Sequence, residues 1–489
     1  MSYTKKYLFI LSTLIVMIGF VSCKKSFLTE APRTVTITDL INKPQDGAQR
    51  LIGAIYSKLY DWNVHGFSWN GLSSMASDDA DKGSDAGDTG TDKDKLDDWT
   101  FETTSISFDE VWIGNYEGIG RAAYALKFLP TMNLPAADRE RYIGEAKLLR
   151  AYFYWNLVRA FGGVPKIDRV LESQEDLITA STRASAQEIY AFIEADLDDA
   201  ILKLPAVIST SDRGRASKGA AQALLAKVSL YQKKWARAKT MCDAIITSNQ
   251  YSLLSNYAMI WRETGEFSAE SIWEVNAIGS SPNRGIEGYF VTQAPRGPGG
   301  LGWGFNTPSA NLFNSYEPGD TRRDATIMQR GQTLWDGFII NTGAPSQYYN
   351  YKSYVSKTQE TFNGEDWQSS KNLRLFRYGE ILLIKAEAEN ELNDTTASKL
   401  ALNQLRVRAG LLPVNAISQT VMRNTIYKER RAEMAFEHDR MFDLRRTGRA
   451  ASVLQAMGKA YVSPKHDLFP IPQNQRNKSE NRIAQNPGY

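Results

Sequence analysis

The sequence predicts a mainly α-helical protein, a tetratricopeptide-like helical repeat scaffold carrying large loop-rich insertions that form a ligand face. Three observations predict it. Helical apolar periodicity recurs along most of the 489 residues. One unit of about 34 residues has the small-residue positions of a two-helix repeat. Two long stretches lose the periodicity and gain Gly, Pro, Asn and aromatic residues, the composition of loops laid over a rigid frame.

Taken in order, residues 1–22 place Lys5 and Lys6 ahead of an apolar run from Tyr7 to Val21, too short and wrongly flanked for a lasting transmembrane helix. They read as a secretory signal. Cys23 follows Phe20-Val21-Ser22, an arrangement similar to the lipobox of bacterial lipoproteins except that Phe20 stands where Leu is preferred. Cys23 is therefore expected to carry lipid, and 23–489 to form one domain. Cys242 is then left without a partner, so packing rather than disulfides must hold the fold. Without Lys5 and Lys6, the chain's 58 basic residues fall to 56 against 55 acidic ones. That balance argues against nucleic acid as a partner.

The scaffold is expected at about 45–62, 108–270 and 372–460. Leu51, Ile52, Ile55 and Leu59 give the first helix its apolar face. In 145–165 the helix "EAKLLRAYFYWNLVRAFGGVP" stops at Gly162-Gly163 before Pro165. Ser185 with Glu188 makes a capping box for the next helix. The clearest repeat runs from Gly219 to about Ser252, where Leu225, Ala226 and Ala238 occupy the close-approach positions and Cys242 fills a core slot, buried and inert. A second pair covers "YGEILLIKAEAENELN" and "ASKLALNQLRVRAG". Irregular regions at about 63–107 and 272–371 interrupt this scaffold, the second with a short strand at "SIWEVNAI".

Several chemical motifs fail on inspection. Gly297, Gly299 and Gly302 match G-x-G-x-x-G, but Pro295 and Pro298 break any element entering the glycines and no helix starts directly after them, so no dinucleotide cradle is expected. His65, His438 and His466 are too dispersed for a zinc motif, and no G-x-S-x-G elbow occurs. In "ERRAEMAFEHDRMFDLRR", Arg430 with Glu433, Glu437 with Arg440 and Asp443 with Arg446 lie three apart, as on a helix that neutralises its own charges. The acidic run 77–99 could hold a structural calcium ion through oxygen ligands, although no register satisfies an EF-hand. No other cofactor is expected.

Placed in order, "SCKKSFL", "EAKLLRAYFYWNLVRAFGGVP", "GRASKGAAQALLAKVSLYQKKWARA", "YGEILLIKAEAENEL", "ERRAEMAFEHDRMFDLRRTG" and "LFPIPQNQRNKSENRIAQNPGY" resemble the SusD/RagB family of outer-membrane lipoproteins over nearly the whole mature chain. The resemblance implies a tetratricopeptide-based domain without chemistry of its own. Such proteins capture glycans, and sometimes peptides or other nutrients, while capping a SusC-like TonB-dependent transporter. It also implies a lipid-anchored, surface-exposed location at the outer membrane. An alternative from a different class is a surface glycoside hydrolase using loop carboxylates.

A sugar offers a C–H face and a hydroxyl rim, so its receptor needs flat aromatic rings beside carboxylates or amides. Trp303, flanked by glycines, suits such a platform. Trp62, Trp69 and Trp99 flank the acidic run, while Tyr289, Trp335 and Trp367 lie in the second region. Asp79 and Asp81, with Asp78 as an alternative, are candidate acceptors for sugar hydroxyls. Trp112, Trp155 and Trp235 sit in helical pattern and are expected in the core. If the two regions converge, they build a groove.

Overall fold

The computed structural model describes residues 43–85, 88, 90–277, 288–361, 369–415 and 418–489. Cys23 and Trp367 lie outside the described residues. The chain enters as helix α1, Pro44–Tyr56, with proline in its first turn and Ala48, Leu51, Ile52 and Ile55 turned inward. The first insertion is more regular than its sequence suggests. It holds two single-turn helices, α2 (Trp62–His65) and α3 (Phe67–Asn70), a π-helical turn at Gly71–Met75, strand β1 (Ala80–Gly83) and helix α4 (Thr91–Asp98).

The scaffold follows as α5 (Ile106–Phe128), α6 (Ala136–Phe161), α7 (Ala186–Lys203), α8 (Lys218–Tyr231) and α9 (Trp235–Thr247). Each packs on the next. Helix α6 ends where the glycine pair predicts, with Gly162 at φ +75°. The capping box closes reciprocally: the Glu188 amide donates to Ser185 Oγ at 3.2 Å, and the Ser185 amide to Glu188 Oε2 at 2.7 Å. Leu225, Ala226, Ala238 and Cys242 are fully buried between α8 and α9, and burial pushes the Cys242 thiol far above its ordinary range.

The stack then skips the second insertion. Strand β2 (Ser271–Val275) leaves the scaffold, helix α10 (Tyr289–Gln293) and strand β3 (Phe305–Pro308) follow, then β4 (Ile327–Gln329) and β5 (Tyr348–Asn350), and β6 (Leu373–Arg377) returns antiparallel to β2. Helix α11 (Tyr378–Glu391) takes its place directly against α9, and α12 (Thr395–Arg408), α13 (Gln419–Met434) and α14 (Arg440–Arg446) complete the frame. The insertion is thus a side excursion from an unbroken helical stack, its two stems tied by the β2–β6 pair. No helix among the described residues is long and apolar enough to cross a membrane.

The arginine-rich block behaves differently from the self-neutralising helix its spacing predicts. Only Asp443 with Arg446 pairs locally, at 2.6 Å. Arg430 reaches Asp443 and Glu380, while Glu433 receives Arg322 from the second insertion and Arg377 from the end of β6. Arg440 and Arg431 reach forward to Asp78 and Asp79. The cause is burial: α13 and α14 are enclosed on several sides, and an enclosed charge must find a partner on whichever element covers it. The block staples both insertions to the frame.

Candidate functional site

Strands of the two insertions, more than 200 residues apart in sequence, meet in one antiparallel pair, β1 with β3, in the register Asp81 to Thr307 and Gly83 to Phe305. That pairing sets the Gly-rich loop beside α2 and α3. The loop is pinned: the Trp303 amide donates to Val291 O at 2.8 Å, and the Gly304 amide to Ala294 O at 2.9 Å. A Cβ at Gly302 would stand 2.1 Å from the Val291 carbonyl, so only glycine allows the loop to fold back onto α10. Gly288, at φ +69°, likewise lets the backbone run against the Trp62 ring, where a Cβ would meet carbon at 2.0 Å. Helix precedes and strand follows these glycines, the reverse of a nucleotide cradle.

Beside this loop lies a cavity of about 630 Å³, walled by Trp62, Phe67, Trp303 and Phe305, with Ile106 at its edge and Asp88, Asp92, Lys93, Glu110 and Arg296 among its polar groups. Trp62 and Trp303 are half-buried, with ring centroids 6.0 Å apart and planes inclined at 56°. Phe67 stands 6.2 Å from Trp62 and 6.4 Å from Trp303, at 65° and 78°. Phe305, buried 4.6 Å from Phe67, backs the group. The rings form a concave cradle rather than a flat wall. Depressions of about 310 and 690 Å³ near Arg213–Arg215 lie against α1 and β2 instead.

The polar wall is built from cross-linked charges. Lys93 is buried, 4.6 Å from the Phe67 centroid, and donates to Ser107 Oγ at 2.5 Å, Asp92 Oδ2 at 3.0 Å and Ser68 Oγ at 3.3 Å. Arg296 pairs with Asp85 at 2.8 Å and Asp88 at 2.7 Å. Burial would raise both Asp88 and Asp92, but it is outweighed. Ser84, the Gly90 amide and Arg296 hold Asp88 below the ordinary carboxylate range, and Lys93, Ser105 and Ser107 do the same for Asp92. Glu110 accepts a hydrogen bond from Ser68 Oγ.

Of the residues read from the sequence, Trp62 and Trp303 stand in this cavity. Trp69 and Trp99 do not. Trp69 is 1% exposed, stacked on Phe442 with the Arg159 guanidinium 5.2 Å from its ring, and Trp99 is 2% exposed, stacked on Phe469 with its indole N–H on Ala76 O. Both fill core positions because the C-terminal segment covers them. Tyr289 is also interior, edge-on to His438 at 5.3 Å, and burial raises its phenol far beyond the usual range. Trp335 is 49% exposed on a tight hairpin outside the cavity wall, above Arg262 at 5.3 Å. Trp112 and Trp155 are core, while Trp235 is half-buried against it.

The two aspartates also need correction. Asp79 is buried and engaged by Arg431 Nε at 2.6 Å, its carboxyl raised chiefly by burial, so it anchors the scaffold instead of facing a ligand. Asp81 is exposed on β1 but outside the cavity wall, its carboxyl raised by partial desolvation and by Asp97. The acidic run finds protein cations: Lys459 Nζ donates to Met75 O, Ser77 O and Asp97 Oδ1 at 2.9, 2.7 and 2.5 Å. Among the described residues no group of three or more His, Cys, Asp or Glu is placed to hold a metal ion. The residues the sequence left out of the site are Phe67, Glu110, Asp88, Asp92, Lys93 and Arg296. Arg296 belongs to the Gly-rich loop itself, whereas the signal of the others was weak, since they join Trp303 only through the β1–β3 pairing.

With fold and site in place, the chain is identified as a member of the SusD family. The "SusD family" model matches residues 269–489, and a model described as "Starch-binding associating with outer membrane" matches residues 46–230. A solved laminarin-binding SusD-like protein is 30% identical, with a TM-score of 0.78 over 91% of this chain and 99% of its own. Surface glycan-binding protein A of Bacteroides thetaiotaomicron, solved with laminarihexaose, is 26% identical with a TM-score of 0.76, over 90% of this chain and 99% of its own. A SusD-like protein of Formosa agariphila is 25% identical over 92% of this chain and 93% of its own. The fold class read from the sequence is the one these relatives share.

Proposed function

We propose that the protein is a non-catalytic glycan receptor, held at the outer membrane by lipid on Cys23, that captures oligo- or polysaccharide and delivers it to a SusC-like TonB-dependent transporter. The observation that carries the glycan reading is the ring cradle of Trp62, Phe67 and Trp303 beside a polar wall. Indoles present C–H-binding faces, and the carboxylates accept from hydroxyls at the sugar rim. Rings inclined to one another suit a chain that curves as it passes, and one similar structure is described as laminarin-binding while another was solved with laminarihexaose. The transporter and the surface-exposed anchor rest on family membership. The reading calls for no cofactor.

A glycoside hydrolase would need one protonated carboxylic acid at neutral pH opposite an ionised one. Asp88 and Asp92 are both held in the ionised form, which leaves neither as that donor. In the Ser73 Oγ···His438 Nδ1 contact at 3.2 Å the hydroxyl is fully buried and donates to the Trp69 carbonyl, so it offers substrate no nucleophile. Affinity electrophoresis through laminarin and starch tests the receptor reading. We expect retardation of the parent protein, at least tenfold weaker binding for Trp303→Ala, and no shortened chains after prolonged incubation. Released oligosaccharides would establish hydrolysis instead, and retardation only by peptides would move the cargo to the family's other nutrients.

A further inference from the structure

Resting on the glycan reading, we infer that the Trp303 cavity selects uncharged glycans and rejects sulfated or uronate-rich ones, with Glu110 as the residue that sets this choice. The argument is one of charge already spent. Two cations line the cavity, Lys93 and Arg296, against three carboxylates, Asp88, Asp92 and Glu110. An ammonium has three N–H donors, and Lys93 commits them to Ser68, Asp92 and Ser107 within the interior. Arg296 is bracketed by Asp85 and Asp88 and also donates to Ser84 Oγ at 2.5 Å. A polyanion entering this cavity would have to displace these internal pairs, each of which would leave a carboxylate uncompensated.

Glu110 supplies the remaining charge. It sits in the first turns of α5, four residues after Ile106, so both project from the same side of the helix into the cavity. Ile106 is 58% exposed, an apolar edge for sugar carbons. Glu110 is half-buried, accepts from the Ser68 hydroxyl, and takes part in no ion pair among the described residues. Its lone pairs are therefore available to sugar hydroxyls, which donate to a carboxylate strongly. A sulfate or carboxylate brought to the same place meets a like charge in a half-enclosed setting, where repulsion is screened less than in water.

Laminarin and chemically sulfated laminarin share one backbone and differ in charge, which makes them the decisive pair, measured by calorimetry at low and high salt. The parent protein is expected to bind laminarin at least tenfold more tightly than the sulfated form, with laminarin affinity indifferent to salt. Glu110→Gln keeps an acceptor for hydroxyls, so laminarin binding should fall by no more than about threefold. The same change should shrink the discrimination about fivefold at low salt, because it removes the like charge. Equal or tighter binding of the sulfated polymer by the parent overturns the inference. So does a discrimination that Glu110→Gln leaves unaltered, since sulfate bulk rather than charge would then account for it. In either case the glycan reading stands, whereas failure to bind laminarin, starch or any sulfated polymer would bring down the glycan reading itself.

Discussion

The two insertions look alike in sequence, both rich in aromatic and polar residues, and both line the cavity, yet their tryptophans are used in opposite ways. In the first, 63–107, Trp69 and Trp99 join the core, and Asp78 and Asp79 are clamped by Arg440 and Arg431. The second pins its backbone on α10 and β1 and leaves Trp303 half-buried and Trp335 exposed. The contrast teaches that a tryptophan's fate is decided by what covers it. Phe442 and Phe469, hundreds of residues later, close over the first pair, while Gly302 lets the second loop fold back onto α10 and leaves the Trp303 ring half-buried beside Trp62 and Phe67.

The comparison breaks most visibly at Trp69. Trp69→Ala should cost about 3–5 kcal/mol of stability, since it opens a cavity beneath Phe442 and removes the ring facing Arg159. Chemical denaturation would measure it. Trp303→Ala, made on the half-buried ring, should change stability by less than about 1.5 kcal/mol while abolishing glycan retardation. If the two variants exchange these phenotypes, the assignment of core and ligand face is inverted.

Next in size is the clamp on the first insertion. Arg440 grips Asp78 with Nε at 2.7 Å and Nη2 at 2.8 Å, and Arg431 adds a contact at 3.0 Å. Burial alone would raise the Asp78 carboxyl, but the two guanidinium groups prevail and lower it from 3.8 to about 2. A carboxyl with a depressed folded value contributes stability that is complete above pH 3.8 and disappears as pH falls toward 2. Asp78→Asn should therefore cost about 3 kcal/mol at neutral pH. The gap from the parent should narrow as the pH drops through that window, as thermal unfolding at successive pH values would record. A gap independent of pH would mean that the substitution disturbs packing rather than charge.

How much of this was legible in the sequence follows from the range of each interaction. Leu225, Ala226, Ala238 and Cys242 could be placed because helical packing repeats within a few dozen residues, and the capping box at Ser185 is local by nature. The Trp303 platform was half legible, since its glycines announce an uncrowded ring and Trp62 stood among the candidate aromatics, but nothing local sets Trp62 or Phe67 against it. Those neighbours arrive through a three-position strand pairing, which has no periodic signature. Asp79 misled for a related reason: a carboxylate in an acidic loop looks solvated until Arg431, 352 positions later in the chain, is brought against it. Local rules fixed the frame, and long-range charge pairing decided which face of each insertion remained open.

Trp335 offers the finest test of that division. It belongs to the second insertion and is exposed, yet it lies outside the cavity wall, on a hairpin closed by Leu334 N to Phe338 O at 2.8 Å. Arg262 supports the indole from below and is itself buried, held by Glu360 and the Tyr351 and Tyr354 carbonyls, so the ring stands on a rigid base. The Asn341 side chain ties the hairpin to Pro298 O at 3.1 Å, which brings this base alongside the Gly-rich loop. A short oligosaccharide held at Trp303 would have little use for such a ring, whereas a polymer could rest a distant unit on it and gain through effective concentration. Trp335→Ala is accordingly expected to leave laminari-oligosaccharide binding unchanged and to weaken retardation by long laminarin about threefold, the stacking of a single sugar on one exposed ring. Equal losses for short and long chains would place Trp335 within the primary site, and no loss for either would leave the cavity to act alone.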